Sequence, residues 1–270
     1  MTVVFIPTRG RAGMLHDKVL PKWEYQNVEE IILVVERSEF HTYQQLSKPH
    51  NNVSVLKLPQ QNRGINYSRN FIVTQAQQWG LAKIIQADDD IYPRPDSDVN
   101  RLCSEFDGLN TLGIGIMVPF YGLMFGNKTI KNENRPLMSK GALGKRLFSL
   151  DVQRVLAIGN FDPSLHSGWG DDELVRQGMA SLQATWYVHS GVWGVSVAGR
   201  YSDGGLNALH SGSLEARRRG QEHSHKIIFA RWGPRYCNTP AQGKKLVFRW
   251  KAFMDDYVPG WQNRINWEKL

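Results

Sequence analysis

Three consecutive carboxylates close an apolar run in Ile84-Ile85-Gln86-Ala87-Asp88-Asp89-Asp90. Like charges this close repel and raise one another's pKa. A cation relieves the repulsion, and hard oxygen ligands select Mg2+ or Mn2+, which keep positions open for phosphate oxygens. Such an ion stabilises a departing diphosphate. The plainer alternative is an acidic helix start, with Asp90 or a neighbour as cap. Upstream, Asn62-Arg63-Gly64-Ile65-Asn66-Tyr67-Ser68-Arg69-Asn70 opens a helix. A helix N-terminus with basic residues suits phosphate, and Gly64 permits an unusual turn. Downstream lies Gly168-Trp169-Gly170-Asp171-Asp172-Glu173-Leu174. A carboxylate there can serve as general base on an acceptor hydroxyl, or merely complement the helix dipole. His189 follows Thr185-Trp186-Tyr187-Val188, and a neutral imidazole suits a third metal position. A lone histidine is more often structural, and His210 competes for the role.

The elements that must carry these residues alternate. Residues 3–7 read as a buried strand, 13–23 as a helix, 30–36 as a second buried strand and 39–46 as a helix. Residues 53–58 alternate with period two, 65–79 form a helix closed by Gly80, and 83–85 form a strand running into the aspartates. Such βαβα order means an α/β fold: an αβα sandwich whose mostly parallel sheet is covered on both faces. Ligands then bind beyond the carboxyl ends of the strands. Further on, 113–120 reads as a strand, 127–135 as a mobile polar loop, 148–158 and 171–181 as helices, and 185–188 as a strand. The final residues predict short strands, a basic turn-rich region and a helix near 242–254.

The chain has 270 residues, enough for one large domain with an appendage. Residues 1–200 are expected to bind the donor and carry catalysis. Residues 201–270 are expected to form a basic extension packed on the same domain and facing the acceptor. Apolar content of 41% and charged content of 21% describe an ordinary globular protein. Cys103 and Cys237 fit no ligand spacing and read as thiols of a reducing compartment. No signal peptide is evident, and apolar runs such as 31–35 and 114–118 are too short to cross a bilayer, so a soluble cytoplasmic protein is expected.

The net charge of +8 is concentrated between Ser213 and Lys251. That stretch holds Arg217, Arg218, Arg219, Lys226, Arg231, Arg235, Lys244, Lys245, Arg249 and Lys251 against Glu215 and Glu222. A concentrated basic segment points to a polyanionic partner; the alternative is a solvated surface, or arginines used for packing and a diphosphate. For a nucleic acid, Arg217, Arg218, Arg219, Arg231, Lys244 and Lys245 would meet phosphates. Trp232, Tyr236 and Trp250 would stack on bases.

Taken in order over residues 2–195, these pieces resemble the GT-A glycosyltransferases, especially the family-2-like group. Val4-Phe5-Ile6-Pro7-Thr8-Arg9-Gly10-Arg11 resembles that group's first strand and nucleotide loop, which implies Pro7, Thr8, Arg9 and Arg11 at the nucleotide. Glu36 falls where an acidic residue contacts base or ribose. Residues 64–70 resemble the Gly…Ala-Arg-Asn element, which implies Arg63, Gly64, Arg69 and Asn70 beside the donor. Asp88-Asp89-Asp90 resembles the DxD motif, implying Asp88 and Asp89 on the nucleotide-sugar and Asp90 on the metal. Gly170-Asp171-Asp172 resembles the xED motif, whose final Asp is the base. Here Asp171 replaces the usual Glu, and Asp171 and Asp172 are hard to tell apart. Arg176 fits the same pattern, and His189 falls where some members place a metal-binding histidine. The resemblance implies a UDP-sugar donor and Mn2+ or Mg2+.

The compact size, the basic tail and the lack of membrane segments resemble, more narrowly, the TET-associated glycosyltransferases. Those include phage enzymes that add sugars to hydroxymethylated pyrimidines in DNA. By that likeness the acceptor is a 5-hydroxymethylpyrimidine in phage DNA, with Trp169 on the acceptor side. Asp172 would take the proton as the hydroxymethyl oxygen attacks the anomeric carbon, and direct attack would invert that centre. Two alternatives remain. One is a GT-A enzyme acting on a surface polysaccharide or a protein, though such relatives usually carry an anchor. The other is a non-enzymatic nucleic-acid-binding protein on a degenerate transferase fold, against which the two acidic motifs argue.

Overall fold

The computed structural model describes residues 2–104, 113–117, 136–139, 146–165, 169–182, 185–189, 192, 194–197, 214–238 and 246–260, with backbone alone at 113–117, 136–139, 171, 182, 185–189, 196, 214, 216 and 217. Aliphatic and β-branched residues fill strands β1 (Val3–Thr8), β2 (Glu30–Val35), β3 (Val53–Lys57) and β4 (Lys83–Ala87). Successive side chains of a strand point to opposite faces. Val3, Phe5, Ile32, Val34 and Ile84 therefore enter one core, while Val4, Ile6, Ile31, Leu33 and Ile85 enter another on the far side of the sheet. Two cores separated by one sheet make three layers.

The first core lies under α4 (Ile65–Gln78), α6 (Val152–Ala157) and α7 (Gly170–Leu182). The second lies under α1 (Ala12–Met14), a π-helical turn (Leu15–Val19), α2 (Leu20–Trp23), α3 (Phe40–Ser47) and α5 (Arg101–Ser104). The remaining strands are β5 (Ile91–Pro93), β6 (Gly113–Met117), β7 (Pro136–Ser139), β8 (Leu147–Asp151), β9 (Thr185–His189) and β10 (Gly194–Ser196). The main sheet runs β3-β2-β1-β4-β8-β6-β9-β7, and β5 pairs with β10 beside it. Strands β3, β2, β1, β4, β6 and β9 run one way; β8 and β7 run against them. This is the expected mostly parallel α/β sandwich.

Residues 148–158 depart from the helix that the sequence predicts. Leu147, Phe148 and Leu150 form β8, inserted antiparallel between β4 and β6, and only then does α6 begin. An apolar run this short is buried equally well as strand or helix, and here a vacant place in the sheet decides. Asp151 caps α6, its side chain accepting from the Arg154 amide at 3.0 Å.

The C-terminal segment also differs. Instead of short strands and turns, Leu214–Tyr236 forms α8, broken at Gly233, whose φ of 71° lies outside the helical region, before Pro234. The predicted helix near 242–254 begins only at Trp250, as α9 (Trp250–Tyr257). Ile228, Tyr236, Leu246, Phe248, Phe253 and Met254 join the first core. The polar stretch 127–135 lies outside the described residues. Among the described residues no helix is long and apolar enough to cross a membrane.

Candidate active site

Because β1, β2 and β4 are parallel, their carboxyl ends share one edge of the sheet. Strand β8 is antiparallel, so its start lies at that same edge: Ala87 faces Leu147, and the Asp88 amide donates to the Arg146 carbonyl at 2.7 Å. Arg146 thereby arrives beside the aspartates. Its Nε donates to Asp88 Oδ2 at 3.2 Å, and its Nη2 donates to Asp90 Oδ2. Arg69 Nη2 donates to Asp88 Oδ1 at 3.2 Å. Asp89 serves a different set: its Oδ2 accepts from Thr8 Oγ1 at 2.9 Å and its Oδ1 from Arg11 Nη1 at 2.6 Å. Burial pushes the Asp89 carboxyl up to about 6, opposed by Arg11 and Thr8. Burial likewise raises Asp88, against the pull of Arg69 and Arg146.

Asp90 is buried, and its Oδ1 has no hydrogen-bond partner among the described residues. A buried carboxylate oxygen without a donor is costly to maintain, and a divalent cation satisfies it. The hard oxygens of Asp88 and Asp90 thus fit Mg2+ or Mn2+ chemically. Among the described residues, however, no three His, Cys, Asp or Glu side chains gather as a cage. Any ion here would need ligands from elsewhere, such as phosphate oxygens. His189 ends β9 at this same edge, but its side chain lies outside the described residues, as does all of His210.

The nucleotide-side candidates fall into two linked groups. Tyr43 is buried, hydrogen-bonds Thr8 Oγ1 at 2.9 Å and accepts from the Arg11 amide at 3.1 Å, fixing the turn after β1. Burial pushes its phenol up to about 12. Pro7, within β1, is buried. Arg9 donates to Asn62 Oδ1 at 2.6 Å and approaches Glu36 Oε1 at 3.5 Å, while the Asn62 amide donates to Glu36 Oε1 at 2.9 Å. Gly64, at φ 83°, starts α4 in a conformation that a side chain would strain. Arg63 is exposed, over the Tyr67 ring. Arg69 is buried between Phe148 and Phe161. Asn70 donates to the Phe161 carbonyl at 2.6 Å, so its amide fastens α4 to the loop after α6 rather than reaching toward the aspartates.

The acidic motif at α7 is brought alongside by a close contact. A Cβ on Gly170 would lie 1.8 Å from Asn66 Oδ1, and Asn66 Nδ2 donates to the Leu165 carbonyl at 2.5 Å. The N-termini of α4 and α7 therefore touch. Asp172, in the first turn of α7, is half-buried; the side chain of Asp171 lies outside the described residues. Next to Asp172, Glu173 is buried and accepts from Arg176 at 2.8 Å, Arg231 at 2.5 Å and Trp232 Nε1 at 3.0 Å. Arg176 is 0% exposed and lies 4.0 Å from the centre of the Phe248 ring.

Several acceptor-side candidates are engaged in packing. Arg231 bridges Glu173 and Asp162, the latter at 2.7 Å, which holds its guanidinium inward. Trp232 and Tyr236, expected to stack on bases, pack with Phe248, Phe253 and Tyr257 instead. Trp250 packs on Phe248 and Phe253. Trp169 sits edge-on to His225, with ring centres 5.3 Å apart, at a backbone φ of 64°. Arg218 and Arg219 are exposed on α8 and, among the described residues, pair with Glu222 and Glu215 of the same helix. The Arg217 side chain and all of Lys244 and Lys245 lie outside the described residues.

Arg146, Tyr43, Asn66 and Glu173 carry structural or electrostatic weight that sequence reasoning did not assign to them. Arg146 stands just before the apolar run of β8, a signal visible only if that run is taken as a strand entering the sheet antiparallel.

Residues 2–100 match the family model of the TET-Associated Glycosyltransferases. No curated protein matches the chain in sequence. Among solved structures, S. aureus TarS 1–349 superposes with a TM-score of 0.54 at 14% identity, covering 85% of this chain and 72% of that one. TarS 1–349 in complex with UDP-GlcNAc gives 0.52 at 13% identity, over 86% and 73%. GalNAc-T7 with UDP, GalNAc and Mn2+ gives 0.55 at 13% identity, over 95% of this chain and 54% of that one. At such identities the likeness is one of fold, and that fold is GT-A.

Proposed function

We propose that this chain, a glycosyltransferase of the GT-A fold whose first hundred residues match the TET-associated family, moves a sugar from a UDP-sugar to the hydroxymethyl group of a pyrimidine in DNA. The observation that carries the donor half is Asp90. A buried carboxylate with one oxygen lacking a partner among the described residues, beside Asp88 and at the carboxyl edge of a parallel sheet, stands where such sheets bind ligands. UDP in the solved relatives TarS and GalNAc-T7, with Mn2+ in the latter, supports the choice of donor and ion.

In this reading Asp88 and Asp90 hold the divalent ion, which when bound supplies positive charge to the leaving diphosphate. Arg9, Glu36 and Asn62 line the nucleoside side. Arg69 and Arg11 keep the acidic loop fixed through Asp88 and Asp89. Asp172, near the start of α7 where Gly170 packs on Asn66 of α4, takes the proton of the acceptor hydroxyl. Its oxygen bonds to the anomeric carbon as the bond from that carbon to the diphosphate breaks. The acceptor half rests on the family match and on exposed Arg218 and Arg219 of α8, suited to a phosphate backbone.

The test uses hydroxymethylated and unmodified DNA with radiolabelled UDP-sugars and Mn2+. Transfer to hydroxymethylated DNA alone is expected, with Asp90→Ala and Asp172→Asn each losing at least about 100-fold in rate. No transfer with any donor refutes the reading. Transfer to polysaccharide or protein instead keeps the enzyme and rejects the acceptor.

A further inference from the structure

The acidic loop is already neutralised from within. Three aspartates, Asp88, Asp89 and Asp90, meet three arginines, Arg69, Arg11 and Arg146. The arginines differ in how they are held. Arg69 has a side chain 7% exposed, fixed between two phenylalanine rings, and Arg11 is 9% exposed beside Asp89. Neither can leave without dismantling the packing around it. Arg146 is 33% exposed and hangs from the very start of β8, where one guanidinium spans Asp88 and Asp90.

We propose that Arg146 is a displaceable internal counterion that occupies the metal-facing carboxylates until donor arrives, so that the divalent ion binds tightly only together with a nucleoside diphosphate. This rests on the reading of Asp88 and Asp90 as the metal-holding pair. Without nucleotide, a cation gains little from a loop whose charge is cancelled, and it must displace a guanidinium to reach Asp90 Oδ2. A diphosphate brings several negative charges to the same place. It attracts the guanidinium, whose planar donors match phosphate oxygens as well as carboxylate. Arg146 moves from carboxylate to phosphate, freeing Asp90 for the ion. Asp90 Oδ1, without a partner among the described residues, marks where the ion first finds a ligand. Arg146 is thus a positioning residue: it couples the two ligands and keeps the acidic loop from loading a cation in an empty site.

Linkage makes the coupling reciprocal, so either ligand reports it. Mn2+ binding is measured by the electron paramagnetic resonance of free Mn2+, with wild type and Arg146→Gln, each with and without UDP. Wild type is expected to bind Mn2+ weakly alone and about tenfold or more tightly with UDP. Arg146→Gln is expected to bind Mn2+ alone about tenfold more tightly than wild type, with the gain from UDP reduced. A residue with a merely structural role would weaken Mn2+ binding when removed, so an increase is diagnostic. If Arg146→Gln binds Mn2+ alone no better than wild type while UDP still helps both, the counterion is refuted and the metal site stands. If neither protein binds Mn2+ even with UDP, the metal reading of Asp88 and Asp90 fails and takes the inference with it. Should Arg146→Gln not fold, Arg146→Lys, which keeps the charge but not the fork that spans Asp88 and Asp90, takes its place with the same expected gain, and tight Mn2+ binding to wild type without UDP overturns the proposal in either case.

Discussion

Replacing Glu173 by alanine removes a carboxylate shared by Arg176, Arg231 and Trp232. The side chains of Glu173 and Arg176 are 1% and 0% exposed, so Arg176 would be left as a buried charge against the rings of Trp169, Phe248 and Trp250, with no carboxylate paired to it among the described residues. Breaking a buried pair by deleting one partner costs about 3–5 kcal/mol. Arg231 adds little, since it is 34% exposed and keeps Asp162. The indole N–H of Trp232 loses its acceptor, a loss of about 1–3 kcal/mol that overlaps with the first. A total near 4 kcal/mol is a large share of the roughly 5–15 kcal/mol that holds a domain together.

Urea unfolding followed by tryptophan fluorescence, at neutral pH, measures this directly. The comparison is a double-mutant cycle of Glu173→Gln, Arg176→Met and Glu173→Gln/Arg176→Met. Removing both charges leaves no buried charge unpaired, so the double variant should cost about 2 kcal/mol less than the sum of the singles. The surviving fold should also lose turnover, because Asp172 precedes Glu173 on the same turn of α7. If Glu173→Ala costs under about 1 kcal/mol, or if the singles simply add, then Glu173 does not tie α7 to the C-terminal helices and the reasoning fails.

Three further outcomes are expected. Gly170→Ala places a methyl 1.8 Å from Asn66 Oδ1 and forces α4 and α7 apart; a stability loss of about 1–3 kcal/mol and a lower kcat are expected, with Asn66→Ala/Gly170→Ala recovering part of the stability. Tyr43, raised from 10.0 to about 12 in the fold, contributes stability that is full below pH 10 and lost as pH rises through 12. The stability difference between wild type and Tyr43→Phe in urea should therefore shrink by about 3 kcal/mol across that window, and a flat difference would show that the phenol is not buried as described. Arg218→Ala/Arg219→Ala should change stability by less than about 0.5 kcal/mol, since both pairs are exposed, yet weaken DNA retention and flatten its salt dependence; unchanged retention would exclude this face of α8 from the acceptor surface.

Much of the donor half was legible in the linear chain. Short apolar runs such as 31–35 and 84–85 alternate with longer helical segments, and that alternation, rather than any one run, points to a parallel sheet with its ligand edge at the carboxyl ends. Asp88, Asp89 and Asp90 had to lie at that edge because they follow the strand directly. Gly64 marked the turn into α4 because it holds a φ of 83°. These are local facts, set by periodicity and backbone sterics. Where partners are remote in sequence, local pattern is silent. Residues 147–150 suit strand or helix alike, and only the open place between β4 and β6 made them β8 and carried Arg146 to Asp88, 58 residues away. In sequence the basic C-terminal segment reads either as a surface for a polyanion or as a solvated face with arginines used for packing. Tertiary packing divided it, turning Arg231 and Trp232 inward onto the buried Glu173 and leaving Arg218 and Arg219 in solvent, because a buried carboxylate must find donors and a charged surface need not.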